Sequence, residues 1–74
     1  MFEYDQDIVN ILLEGNDEFR ELYREHDELK EKVRDAELGV HPVDDAVLNT
    51  MKRRKLITKD RMAVMIESYR REHA

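Results

Sequence analysis

The sequence predicts an all-α protein: an antiparallel two-helix hairpin, coiled-coil-like, with a short N-terminal helix. First, its 74 residues contain only two glycines and one proline. Second, 42% of the residues are charged and 41% are apolar, a composition typical of amphipathic helices. Third, apolar residues recur at spacings of three and four on both sides of one sharp break at residues 39–42. One domain over residues 1–74 is expected.

The first predicted element is a short helix over residues 4–13. Tyr4, Ile8, Ile11 and Leu12 are expected to fall on one face, and acidic residues in the first turn complement the helix dipole. Gly15 is expected to end this helix in a left-handed conformation, and Asn16 to cap the next one. The alternative is one continuous helix bent at the glycine, which costs only about 1 kcal/mol.

Two long helices are predicted over residues 17–38 and 45–72, with a turn over residues 39–44. Gly39 ends the first helix, and Pro42 disfavours helical geometry at the residue before it. One of the two aspartates that follow is expected to cap the second helix. A connection this short folds two helices back on each other as an antiparallel hairpin.

Matching apolar stripes predict the surface between the two long helices, the hairpin seam. The first helix shows a heptad pattern, and the second alternates spacings of three and four. With the turn centred near residue 42, Leu22 faces Met62, and His26 faces Thr58, with which it is expected to share a hydrogen bond. The predicted seam residues are Phe19, Leu22, His26, Leu29, Val33, Met51, Thr58, Met62, Met65 and Tyr69.

The second half of the second helix is apolar on more than one side, and a two-helix hairpin covers only one side. Self-association into a helical bundle is therefore expected, with a homodimer favoured. The alternative is that residues 2–13 fold back over this flank within one chain. The candidate self-association residues are Leu56, Ile57, Ala63, Val64 and Ile66.

Charge is unevenly distributed along the chain. Residues 1–45 carry fifteen acidic and five basic side chains, whereas residues 46–74 carry three acidic and eight basic ones. The basic side chains are expected to pair with glutamates of the first long helix, such as Glu25 and Glu28. The alternative function is that of an accessory nucleic-acid-associated protein using the basic segment of the second helix, which the net charge of −5 disfavours. Docking of this helix on a membrane surface or in a partner groove is a further alternative. The candidate basic patch consists of Lys52, Arg53, Arg54, Lys55, Lys59 and Arg61.

No motif predicts chemistry. The chain has no cysteine, three scattered histidines and no glycine-rich phosphate loop, so no catalytic, cofactor or metal site and no enzymatic activity are expected. It shows neither a signal-peptide pattern nor the run of about 20 apolar residues that spans a membrane. We therefore expect a small cytoplasmic interaction or adaptor protein with an unidentified protein partner.

Two stretches resemble the YdcH-like family. The run MKRRKLITKDRMAVMI at residues 51–66 is similar to the family's signature, and NDEFRELYREHDEL at residues 16–29 matches the pattern before its turn. The sequence departs from this pattern at Asp17, where proline is common, and at Thr58, where leucine is usual. The family consists of short bacterial proteins with a domain of unknown function. The resemblance implies a self-associating helical hairpin and implies no activity.

Overall fold

The chain forms three helices and no strands within residues 6–73, the part that the computed structural model describes. Helix α1 is Gln6–Gly15, α2 is Asp17–Glu37 and α3 is Asp45–Glu72. The all-α prediction is therefore confirmed for this part of the chain. Residues 1–5, which include the start of the predicted short helix, lie outside the described residues.

Asn16 separates α1 from α2. Its backbone is extended, with φ −132° and ψ 110°, and its side-chain oxygen accepts a hydrogen bond from the Phe19 N–H at 2.9 Å, which confirms the predicted cap. The expectation for Gly15 is wrong, because this residue is helical and not left-handed. The Asn16 N–H still donates to the Leu12 carbonyl at 2.9 Å, so the helical bonding runs past the glycine before the chain turns.

Gly39 ends the second helix as predicted, with a left-handed φ of 79°. Its N–H donates to the Ala36 carbonyl at 3.3 Å, and the Val40 N–H donates to the Asp35 carbonyl at 2.9 Å. These bonds use carbonyl groups that the end of a helix otherwise leaves unpaired. Asp44 occupies the N-cap position of α3, but its side chain makes no cap hydrogen bond.

All three helices contribute to one apolar core, which lies around the first half of α2 and the second half of α3. Phe19 and Met62 are its most deeply buried large side chains, at 0% and 1% exposure. The sequence placed Ile11 on the inner face of α1, but it is exposed and Val9 is buried in its place. The core cluster consists of Val9, Leu12, Phe19, Leu22, Met62 and Ile66.

Nearer the connection, Leu29 and Val33 of α2 and Thr58 of α3 are buried outside that cluster. The Thr58 hydroxyl donates to the Lys55 carbonyl at 2.8 Å. His26 and Thr58 form no hydrogen bond with each other, so the expected bond is wrong; the threonine hydroxyl is used by the backbone of its own helix.

Replacing the cap residue tests the break between α1 and α2. We expect Asn16→Ala to lower the free energy of unfolding by about 1 kcal/mol, because the Phe19 N–H loses its acceptor at the start of α2. Urea unfolding followed by circular dichroism measures the change. Asn49→Ala is the matched control, since Asn49 is exposed within α3, and it should leave stability unchanged or slightly raised. Equal effects of both substitutions would contradict the assigned cap.

Candidate interaction surfaces

The residues of the predicted hairpin seam are all at least partly withdrawn from solvent. Six of its ten residues are buried and four are half-buried. The half-buried members are His26, Met51, Met65 and Tyr69. Their burial makes these side chains poor candidates for contacts with another molecule.

Four of the five candidate self-association residues are exposed. Ile57 and Val64 are 44% and 66% exposed, and on a regular helix they lie about 140–160° around α3 from the buried Met62. We call this pair the outer apolar face. Leu56 and Ala63 are also exposed, on a different flank of the same helix.

Ile66 does not belong with the other candidates. It is 3% exposed and lies in the core cluster with Val9 and Leu12, because α1 covers this flank of α3. Its apolar surface is therefore already used within the chain. The fold-back alternative accounts for this one position and leaves the outer apolar face uncovered.

Two cations of the candidate basic patch pair with α2. Arg54 Nη2 lies 2.9 Å from Glu25 Oε1, and Lys52 Nζ lies 3.7 Å from Glu37 Oε1. Glu28, the other expected partner, lies instead within 3.8 Å of Arg24 on its own helix. All these side chains are substantially exposed, so each pair contributes at most about 1 kcal/mol.

The other four cations, Arg53, Lys55, Lys59 and Arg61, make no ion pair with any residue of the described range 6–73. Arg53 and Arg61 are exposed, whereas Lys55 and Lys59 are half-buried. The basic patch is thus divided: part of it is matched by carboxylates of α2, and part is left for other contacts.

Three lysines of α3 line one groove between α2 and α3. Lys52, Lys55 and Lys59 recur at spacings of three and four, a signal that the sequence contained but that four adjacent cations obscured. We call this the basic groove, and it is lined by Val33, Glu37, Lys52, Lys55, Leu56 and Lys59.

His26 reports the electrostatic character of this region. Burial lowers the pKa of His26 below its usual 6.5, and the charges of Lys55, Lys30 and Lys59 lower it further, while Asp27 opposes them. At the imidazole, the positive charges of Lys55, Lys30 and Lys59 together therefore outweigh the negative charge of Asp27.

Within residues 6–73, no helix is long and apolar enough to cross a membrane. The same part of the chain holds no group of three or more histidine, aspartate or glutamate side chains arranged to bind a metal ion.

A family model described as a protein of unknown function (DUF465) matches residues 19–66. The match begins at Phe19 and ends at Ile66, both of which lie in the core, and it includes the whole basic patch. No curated protein and no solved structure matches the chain.

The lowered pKa of His26 predicts a pH dependence of stability. A histidine whose pKa is lowered by folding stabilises the protein above the unfolded value of 6.5, and this contribution is lost as pH falls through the folded value. We expect the unfolding free energy to rise between about pH 5.5 and about pH 7.5, and His26→Gln to remove part of that rise. Urea titrations at both pH values measure it.

His41→Gln is the control, because His41 is exposed in the connection between α2 and α3. This variant should keep the full pH dependence. A His26→Gln protein that also keeps it would contradict the role given to the half-buried imidazole.

Proposed function

The chain belongs to the DUF465 family, the YdcH-like family that its motifs indicated, and on that premise we propose a non-catalytic interaction protein of the cytoplasm. In this proposal α2 and α3 form an antiparallel, coiled-coil-like hairpin. Two copies associate through the outer apolar face, and the resulting dimer presents further surfaces to a protein partner. Because the family has no established function, the proposal rests on the surfaces of this chain.

Contacts at both ends of the two long helices support the hairpin. Glu37, the last residue of α2, pairs with Lys52 in the first half of α3. Phe19, near the start of α2, shares the core cluster with Met62 and Ile66 in the second half of α3. Two helices that run in opposite directions account for both sets of contacts.

The observation that carries the dimer is the exposure of Ile57 and Val64 on the side of α3 away from the core. Their spacing of seven is that of a single seam position in a coiled coil. Covering such side chains is worth about 25 cal/mol for each Å² of apolar area removed from water. A second copy brings an identical face, and two-fold dimers are the commonest protein assemblies.

The charges between these two residues favour a particular arrangement of the copies. Asp60 and Arg61 are exposed, and neither makes an ion pair with a residue in the described part of the chain. If two α3 helices cross antiparallel about a two-fold axis beside residues 60 and 61, Ile57 faces Val64 of the other copy. Asp60 then faces Arg61 of the other copy twice, once on each side of the axis. The face is complementary to itself in this register.

Sedimentation equilibrium tests the proposal with charge-swapped variants. We expect wild type to be a dimer at tens of micromolar, and Ile57→Asp/Val64→Asp to be a monomer of unchanged helicity, since both side chains are exposed. Asp60→Arg and Arg61→Asp should each weaken the dimer, because like charges then face each other. The double variant Asp60→Arg/Arg61→Asp should restore it.

These variants distinguish an error in the proposed dimer face from an error in the proposed two-fold register. A monomeric wild type, or a dimer that survives Ile57→Asp/Val64→Asp, would contradict self-association through this face. A dimer that depends on Ile57 and Val64 but is not restored by the charge swap would contradict the two-fold register alone.

A further inference from the structure

The basic groove holds two lysines that the fold leaves without carboxylates. Lys55 and Lys59 are half-buried, lie one helical turn apart and make no ion pair with any residue of the described range. Like charges at this spacing repel each other along a helix. Lys52, the third lysine of the groove, is held at its edge by Glu37 at 3.7 Å. The folded chain therefore concentrates positive charge at a partly desolvated position.

A shortage of acidic residues does not explain this arrangement. The chain has 18 acidic and 13 basic residues, and two exposed cations of the long helices, Arg24 and Arg54, pair with glutamates. Arg24 contacts Glu21 at 2.8 Å, and Arg54 contacts Glu25 at 2.9 Å; these residues line a different groove from that of the lysines. Glu21, Glu25 and Glu28 thus line the groove that holds Arg24 and Arg54, whereas the basic groove has Glu37 beside its three lysines.

The residues around the lysines indicate which kind of ligand fits the basic groove. Val33 and Leu56 give the groove an apolar lining, and Leu56 is an exposed large apolar side chain. The lysines' charges also act on His26, whose pKa they help to lower. A ligand that carries carboxylates and an apolar group would satisfy the lysines and cover Leu56 together.

We propose that the basic groove binds an acidic segment of a partner protein, with carboxylates on Lys55 and Lys59 and an apolar side chain on Leu56. A protein segment fits better than duplex nucleic acid for two reasons. The groove is short and has Glu37 at its edge, whereas duplex binding uses a long series of phosphate contacts. The chain's net charge of −5 also repels a duplex, with its many phosphates, more strongly than a short segment with a few carboxylates. This groove is separate from the outer apolar face and acts whether or not the chain dimerises.

Fluorescence anisotropy with a defined probe tests the groove. The probe is a labelled synthetic peptide with a central leucine between glutamates, and an all-glutamate peptide of equal charge is the comparison. We expect wild type to bind the leucine peptide more tightly. Lys55→Gln/Lys59→Gln should weaken that binding by about tenfold, which corresponds to losing two charge pairs that remain partly accessible to solvent.

The matched control is Lys32→Gln/Arg71→Gln, which removes two exposed positive charges that lie outside the basic groove. Circular dichroism should show equal helicity for both variants, and the control should bind the peptide like wild type. If both variants lost the same affinity for the peptide, the effect would come from net charge alone, and the proposed binding site would be wrong.

Two further outcomes would also overturn the proposal. Equal affinity for the all-glutamate peptide would remove the role of Leu56. Tighter binding of a short DNA duplex than of the peptide, lost in Lys55→Gln/Lys59→Gln, would assign the groove to nucleic acid.

Discussion

The packing of Phe19 and Met62 into one small core is the constraint on which the rest of the structure depends. In a chain of this size, a single core stabilises the folded state by only about 3–5 kcal/mol. All three helices contribute side chains to this core. Helix α3 has 28 residues and spans about 42 Å, close to the 44 Å long axis of the described chain. Helix α1 has 10 residues, about 15 Å, and so it covers only part of α3. The outer apolar face and the basic groove lie on the surface that remains.

The two flanks of α3 differ because the charges of α2 are distributed unevenly. Glu21, Glu25 and Glu28 share one groove with Arg24 and Arg54, so positive and negative charges meet there within the chain. The lysines at 52, 55 and 59 share the other groove with a single glutamate. One helix therefore combines internal pairing, a basic groove and an apolar outer face, and the proposed dimer and partner site use different parts of it.

Local signals in the sequence predicted the local structure at Asn16 and Gly39 but not at Gly15, which is helical. The Asn16 cap and the left-handed Gly39 follow from backbone chemistry, which depends on few neighbours. Positions that depend on where α1 docks were not predictable, since neither the exposure of Ile11 nor the burial of Ile66 is encoded in the periodicity of one helix. The basic groove was missed for a related reason. Lys52 and Lys55 are the outer members of a run of four adjacent cations, and only the position of α2 shows which cations share a surface with Lys59.

The most direct test of this account is an NMR measurement of contacts from the Phe19 ring. Aromatic–methyl NOEs should connect this ring to Met62 and to the methyl groups of Val9 and Leu12, all members of the core cluster. In a mixture of labelled and unlabelled chains these NOEs should be intramolecular, whereas those between Ile57 and Val64 should be intermolecular. Phe19 contacts that arise between chains, or that reach Ile57 and Val64 in place of Met62, would contradict the shared three-helix core.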